Sequence, residues 1–355
     1  MNENEQEAVQ ERNATVANEP IPPVSAKAEE EQTSQIEAER RKSPMPETVT
    51  EQEVQPANSR KGWVGIVCIL LAGILWGTTG IFSHIMNNYL GGDSNTTSFY
   101  RMLGGMITMA IYVAIRNPQH FRIKPRYLPI PIVQGVVTCC IFSLTYIAAI
   151  QYLGMSTAVI LLYTSPIYVT IMSRILFKEQ ITKEKILALI INLVGCALTI
   201  SGGSLDISSF SFIGILLGLC GGLCYAFTPI CGHYASAGNV HPETATFYAT
   251  VFALIALTIL VPPWNYEGIH MGLGLAAWSL CCGFMNLSLP LLLYMHGMTV
   301  ITEPSKGPIL ASVENISAAT WGVLLFGEFM NSWKVLGIAL VLGSIVIMNR
   351  KKADA

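Results

Sequence analysis

The sequence predicts an all-α integral membrane protein, with ten transmembrane helices arranged as two inverted five-helix repeats. Three observations carry that expectation. Apolar runs long enough to cross a bilayer recur ten times, charge is sparse after residue 60, and the chain resembles itself at a spacing of 149 residues.

Residues 1–60 hold thirteen Glu and six Lys or Arg, a net of −7, whereas the other 295 residues hold only ten acids and fifteen bases. Soluble domains carry roughly a quarter charged residues. The whole-chain net charge of −2 therefore hides an acidic tail on a sparse, slightly basic, apolar body. Residues 1–58 are rich in Glu, Gln, Ala, Pro and Ser and contain no aromatic residue. Such a segment buries too little apolar area to offset the entropy of ordering. Residues 1–60 are expected to form a disordered acidic tail.

The apolar runs cover about 63–86, 97–115, 128–150, 156–177, 184–201, 212–233, 243–262, 272–296, 303–327 and 333–349. About 20 apolar residues span the hydrocarbon core as a helix. These runs are too long and continuous for barrel strands. The first begins too late for a cleaved signal peptide, so insertion is expected to use the first helix itself. Nine cysteines all lie inside apolar runs, none in a C-x-x-C with histidines at metal spacing. They read as small packing residues. Gly214, Gly218 and Gly222 recur every four residues on the sixth run, a pattern that lets helices approach closely in lipid.

Orientation is read from basic residues in short loops. Loops 87–96, 202–211 and 263–271 have none, whereas 116–126 carries Arg116, Arg122, Lys124 and Arg126. The stretch 174–185 carries Arg174, Lys178, Lys183 and Lys185, and the C-terminus Arg350, Lys351 and Lys352. Alternate threading gathers these on one side, with Lys334 the exception. The expected location is the cytoplasmic membrane, multi-pass, with both termini cytoplasmic.

The repeat aligns Trp76 with Tyr225, Thr79 with Thr228, Ile81 with Ile230, His84 with His233, Phe177 with Phe326 and Glu179 with Glu328. The two copies are expected over residues 61–202 and 210–350. Five is odd, so the second copy crosses the membrane in the opposite sense. Two inverted copies can exchange conformations, which is the structural logic of alternating access.

The run Gly73-Ile74-Leu75-Trp76-Gly77-Thr78-Thr79 resembles the first-helix motif of EamA-type transporters of the drug/metabolite transporter superfamily. Tyr163-Thr164-Ser165-Pro166, with Glu179 thirteen residues on, is similar to it too. So is the second copy, Pro304-Ser305-Lys306-Gly307 through Ser312-Val313-Glu314-Asn315 to Gly327-Glu328. Where that family reads Glu-Pro, this chain reads Glu314-Asn315. The resemblance implies ten helices and secondary transport, often export of amino acids or other metabolites.

Glu314 lies near the middle of the ninth run. A charged side chain facing lipid there costs about 2.5–3.5 kcal/mol, so it is expected to face the interior, protonated or paired, and to couple transport. Asn315 and Ser312 beside it suggest a polar patch. Aromatic residues deep in the runs, Trp76, Tyr163, Tyr225 and Trp321, suit an apolar small-molecule site that needs a few polar groups. Thr79, Thr164, Ser165, Thr228 and Asn286 supply such groups. Arg101 is expected to snorkel to the outer interface, with capture of a substrate carboxylate as the alternative. His84, His233 and His296 read as interfacial histidines. Glu179 and Glu328 read as fixing helix ends, Glu179 with Lys183 four residues on. Pro166 removes the N–H that would bond the Leu162 carbonyl. A kink is expected there, and a straighter ninth helix at its partner Asn315.

No P-loop or dinucleotide fingerprint occurs, so no ATP drive, cofactor, metal or nucleic-acid partner is expected. Asp93 and Asp206, both in loops, leave no Asp dyad for a membrane-embedded enzyme. The expected partners are a small-molecule substrate and the bilayer, with protons and a second copy of the chain as further candidates. A membrane receptor or scaffold without transport is the alternative reading.

Overall fold

The computed structural model describes residues 59–204, 211–263 and 272–349. The acidic tail lies outside these residues, except that Ser59 and Arg60 already begin the first helix. Among the described residues, ten helices are long and apolar enough to cross a membrane: α1 (Gly62–Leu90), α2 (Ser94–Arg116), α3 (Pro125–Leu153), α4 (Met155–Phe177), α5 (Lys183–Ser201), α6 (Phe212–Ala237), α7 (Pro242–Leu260), α8 (Leu273–Met298), α9 (Lys306–Phe326) and α10 (Ser332–Asn349). Large apolar side chains such as Ile115, Ile175, Ile259 and Leu324 are exposed on outward faces, as a hydrocarbon solvent allows.

The inverted repeat is visible in detail. α1 packs on α8 and α9, as α6 packs on α3 and α4, while α5 packs on its own counterpart α10. After α4 the chain turns through a left-handed residue at Lys178 (φ 56°), and after α9 at Gly327 (φ 66°). The next amide, Glu179 or Glu328, bonds back to the carbonyl of Ser173 or Gly322. Thr182 then caps α5 by accepting from the Lys185 amide, as Asn331 caps α10 by accepting from the Lys334 amide. Each pair of equivalent positions is 149 residues apart. Trp76 meets its counterpart Tyr225 edge to face at 6.1 Å. The pseudo-two-fold axis therefore passes between these rings, which places them at the centre of the bundle.

Close approach of helices depends on a few glycines. A Cβ on Gly104 of α2 would collide with the Ser279 backbone, and one on Gly283 of α8 with Gly104 and Gly105. Gly195 of α5 and Gly337 of α10 likewise face each other's backbones. In lipid, where burial between helices brings little, such contacts and interhelical hydrogen bonds hold a bundle together. The α5–α9–α10 seam has both. Asn192 Nδ2 donates to Ser312 Oγ (2.7 Å) and Ser344 Oγ (3.0 Å), and Asn315 Nδ2 donates to Cys196 Sγ (3.0 Å).

Helix α4 is interrupted at Tyr163–Thr164, as Pro166 leads one to expect. The contrast drawn with α9 does not hold, because α9 is interrupted too, at Ser312. Proline is not the common cause. In each break a hydroxyl bonds the carbonyl three residues back: Thr164 to Leu161 (2.7 Å), Ser312 to Ile309 (2.6 Å), and in the break of α1 Thr78 to Leu75 (2.6 Å). Such bonds compete with the backbone ladder. Asn315 keeps its N–H but gives it to Ser312 at i−3 (3.0 Å).

Candidate functional site

Aromatic residues line the centre of the bundle. Tyr225 of α6 packs on Trp76 of α1 and on Phe142 of α3 (5.5 Å), Phe142 stacks on Tyr146 (5.6 Å), and Trp76 also meets Tyr294 of α8 (5.6 Å). Tyr163 of α4 is almost fully buried beside Cys196 and Val341. These rings come from five helices and both repeats.

A guanidinium and a carboxyl enter this aromatic region. Arg101 does not snorkel. Asp93 caps α2 through the Thr96 amide (2.8 Å) and starts the helix earlier than the apolar run suggests, so Arg101 sits two turns inside. Its two terminal nitrogens diverge, Nη1 donating to Asn286 Oδ1 and Nη2 to Ser143 Oγ, each at 3.3 Å. Asn286 is fully buried and donates from Nδ2 to Thr79 Oγ1 (2.8 Å). One chain of polar contacts thus joins α3, α2, α8 and α1. A guanidinium has five N–H donors, and this network engages two of its nitrogens.

Glu314 of α9 supplies the carboxyl. Its carboxylate acts electrostatically on Arg101, Tyr146, Tyr163 and Tyr225. These groups belong to α2, α3, α4 and α6, so the side chain points into the bundle. Its side chain is partly exposed.

The residues singled out from sequence divide into three groups. Trp76, Thr79, Tyr163, Tyr225, Asn286 and Glu314 come together at the centre. Thr164, Ser165 and Thr228 lie on adjoining turns of α4 and α6, with Ser165 and Thr228 buried, and Trp321 is half-buried two turns beyond Glu314. Asn315 and Ser312 do not join Glu314 in a polar patch. One residue is about 100° of helical rotation, and that rotation turns Asn315 into the α5–α10 seam. Sequence reasoning missed Phe142, Ser143, Tyr146 and Tyr294, which nothing in an apolar run marks as inward. It weighed Arg101 but preferred the outer interface.

The expected Glu179–Lys183 pair is not formed. Glu179 instead binds Lys185 (2.6 Å), which also binds Glu303 (2.7 Å), and Glu303 reaches Lys306 (3.3 Å). Burial works against charge on Glu303, but the bonds and charges of Lys185 and Lys306 outweigh it and hold its carboxyl below the usual carboxylate range. Among the described residues, His120, His241 and Glu243 form a group whose donor atoms lie within 4.8 Å of one another. The two imidazoles stack at 4.2 Å with planes 19° apart. Their in-plane lone pairs lie in nearly parallel planes, and His120 Nδ1 stands 3.7 Å from a Glu243 oxygen.

Comparison with known proteins gives one family. The EamA-like transporter family matches residues 63–201 and again 212–350. An uncharacterized transporter of Archaeoglobus fulgidus is 27% identical over 81% of this chain and 97% of its own length. The pseudopaline exporter CntI of Pseudomonas aeruginosa is 22% identical over 81% of this chain and 99% of its own. A solved crystal structure shares the fold, with a TM-score of 0.65 at 15% identity, covering 83% of this chain and 99% of that one.

Proposed function

Because the chain belongs to the EamA-like transporter family, we propose that it is a secondary transporter moving a small zwitterionic metabolite, an amino acid or a similar compound, by alternating access. The observation that carries this reading is the inward-turned guanidinium of Arg101, held by Asn286 and Ser143 beside the rings of Trp76, Phe142 and Tyr225; Glu314 of α9 is the acid we assign to the same region. A substrate carboxylate suits the free guanidinium donors and a substrate ammonium suits Glu314. The rings of Trp76, Phe142 and Tyr225 suit an apolar side chain. Among the described residues, neither group is matched by a second of its own kind at the site, which disfavours dicarboxylates and diamines.

Alternating access is supported by the inverted repeat and by the reciprocal ends of α4 and α9. Proton coupling is assigned to Glu314, and export is the direction we assign, in keeping with the exporter named among the relatives. The reading is tested in proteoliposomes by counterflow of amino acids against matched amines and monocarboxylates. Accumulation of zwitterions alone is expected, and equal movement of all three would refute the charge-pair reading.

We assign Arg116, Arg122, Lys124 and Arg126 to the cytoplasmic side, a reading supported by the excess of basic residues in that loop. Ser94 and Gln119 are exposed near opposite ends of α2. A membrane-impermeant maleimide applied to intact cells is expected to label Ser94→Cys and not Gln119→Cys. Labelling of both from outside would overturn the orientation.

A further inference from the structure

The two faces of the bundle carry the same residues in different states. On the basic face, Glu179 at the end of α4 accepts from Lys185 of α5 and, in a very short contact, from the hydroxyl of Ser305 at the start of α9. The Glu179 side chain is 9% exposed and Ser305 is fully buried. Phe177 beside it packs on His233 at 4.2 Å. On the opposite face, Glu328 at the end of α9 binds Lys334 of α10 (2.9 Å), the same pair shifted by 149 residues. Yet its side chain is 51% exposed, and Ser156, the counterpart of Ser305, is exposed at the start of α4. The counterpart ring pair, His84 and Phe326, stands wider at 4.9 Å. The start of α9 packs on the end of α4, and no comparable packing joins the start of α4 to the end of α9 among the described residues.

We propose that Glu179 and Glu328 are the two gating residues of the transport cycle, each closing its own face by taking the serine at the start of the partner helix. In this structure Glu179 holds Ser305 and the basic face is shut, while Glu328 has released Ser156 and the opposite face is open. In the other half of the cycle Glu328 takes Ser156 and Glu179 lets Ser305 go. Two almost identical halves with one closed latch between them have two states of similar energy, related by exchange of the latch. The inference rests on the alternating-access reading above and assigns its moving parts.

The repeat also explains which state is seen. The basic-face latch has two additional charges, Glu303 and Lys306, joined to Lys185 and to each other. Their counterparts on the opposite face are Gly154 and Thr157, which carry no charge. The copies are therefore unequal, and the resting protein favours closure at the basic face.

The experiment uses full-length protein in liposomes and oxidative cross-linking read by peptide mass spectrometry, with the parent protein treated alike as the control for native cysteines. The pair Glu179→Cys with Ser305→Cys is expected to cross-link readily and to arrest flux. The pair Ser156→Cys with Glu328→Cys is expected to cross-link slowly. Adding Glu179→Gln to this second pair should raise its yield roughly tenfold, the effect of losing one hydrogen bond to a charged group. Glu303→Gly with Lys306→Thr, which leaves Glu179 in place, should raise it too and guards against misfolding of the first variant. A Ser156→Cys/Glu328→Cys pair that never cross-links, although the parent protein carries flux, would overturn the proposal, as would yields indifferent to both sets of changes. Cross-linking needs no substrate. Exchange of the two cross-links without any flux would support the gates and count against the transport reading instead.

Discussion

Glu314→Gln is expected to give a correctly inserted, stable protein that has lost pH-driven flux. The amide keeps the shape of the side chain and its place among Tyr146, Tyr163 and Tyr225, but it cannot bind and release a proton. No base lies nearer on its own helix than Lys306, eight residues and about 12 Å of rise away, so the carboxyl has no local partner to neutralise it. Arg101, from the other repeat, acts on it across the bundle, and the two form no direct ion pair. A carboxyl that meets water from one side in one state, and from the other side in the next, can carry a proton across. Proteoliposomes with an imposed pH gradient check this. Wild-type flux with unchanged pH dependence in Glu314→Gln would remove Glu314 from the coupling step and leave it a structural acid.

Arg101→Ala should weaken zwitterion binding, with the apparent affinity falling by about 30-fold or more. Truncating one member of a desolvated charge pair costs about 2–5 kcal/mol, and each 1.4 kcal/mol is about tenfold. The loss has two sources: the substrate carboxylate loses its partner, and Asn286 and Ser143 lose the donor that orients them. Arg101→Lys separates these. It keeps the positive charge, but one ammonium cannot span the two directions set by Nη1 and Nη2. It is expected to recover part of the affinity and not the discrimination between zwitterion and amine. Titration of substrate into purified protein, followed by its thermal stabilisation, reads both variants. Unchanged affinity in Arg101→Ala would mean that the guanidinium only braces α2 against α3 and α8.

Much of the fold was legible because the bilayer makes it one-dimensional. A helix must be apolar over a fixed length to cross, so α1 to α10 appear as runs, with ends displaced by a few residues where a cap intervenes, as Asp93 does for α2. The site was legible only where a residue's presence in an apolar run is itself improbable. Glu314 and Asn286 stand out in that way. Phe142, Tyr146 and Tyr294 do not, since aromatic residues face lipid or packing as readily as a cavity. Arg101 was visible but misplaced, because a long cationic side chain near a helix end can turn outward or inward and its own sequence does not say which.

The sequence by itself determined the class, the ten crossings, the two inverted copies and the need for Glu314 to avoid lipid. Hydropathy and self-similarity are properties of a chain read in order, and both follow from constraints that each segment meets alone. Tertiary structure decided what faces what. Arg101 turns inward because Asn286, 185 residues away, offers an acceptor there. Asn315 leaves Glu314 for the seam because one residue of helical rotation points it at Cys196. Glu179 passes over Lys183 for Lys185 and Ser305 because α4, α5 and the start of α9 converge at one face, whereas Glu328, its equal in sequence, is left half in the open. Which of two like residues is latched depends on the conformation of the whole bundle, and no local pattern records it.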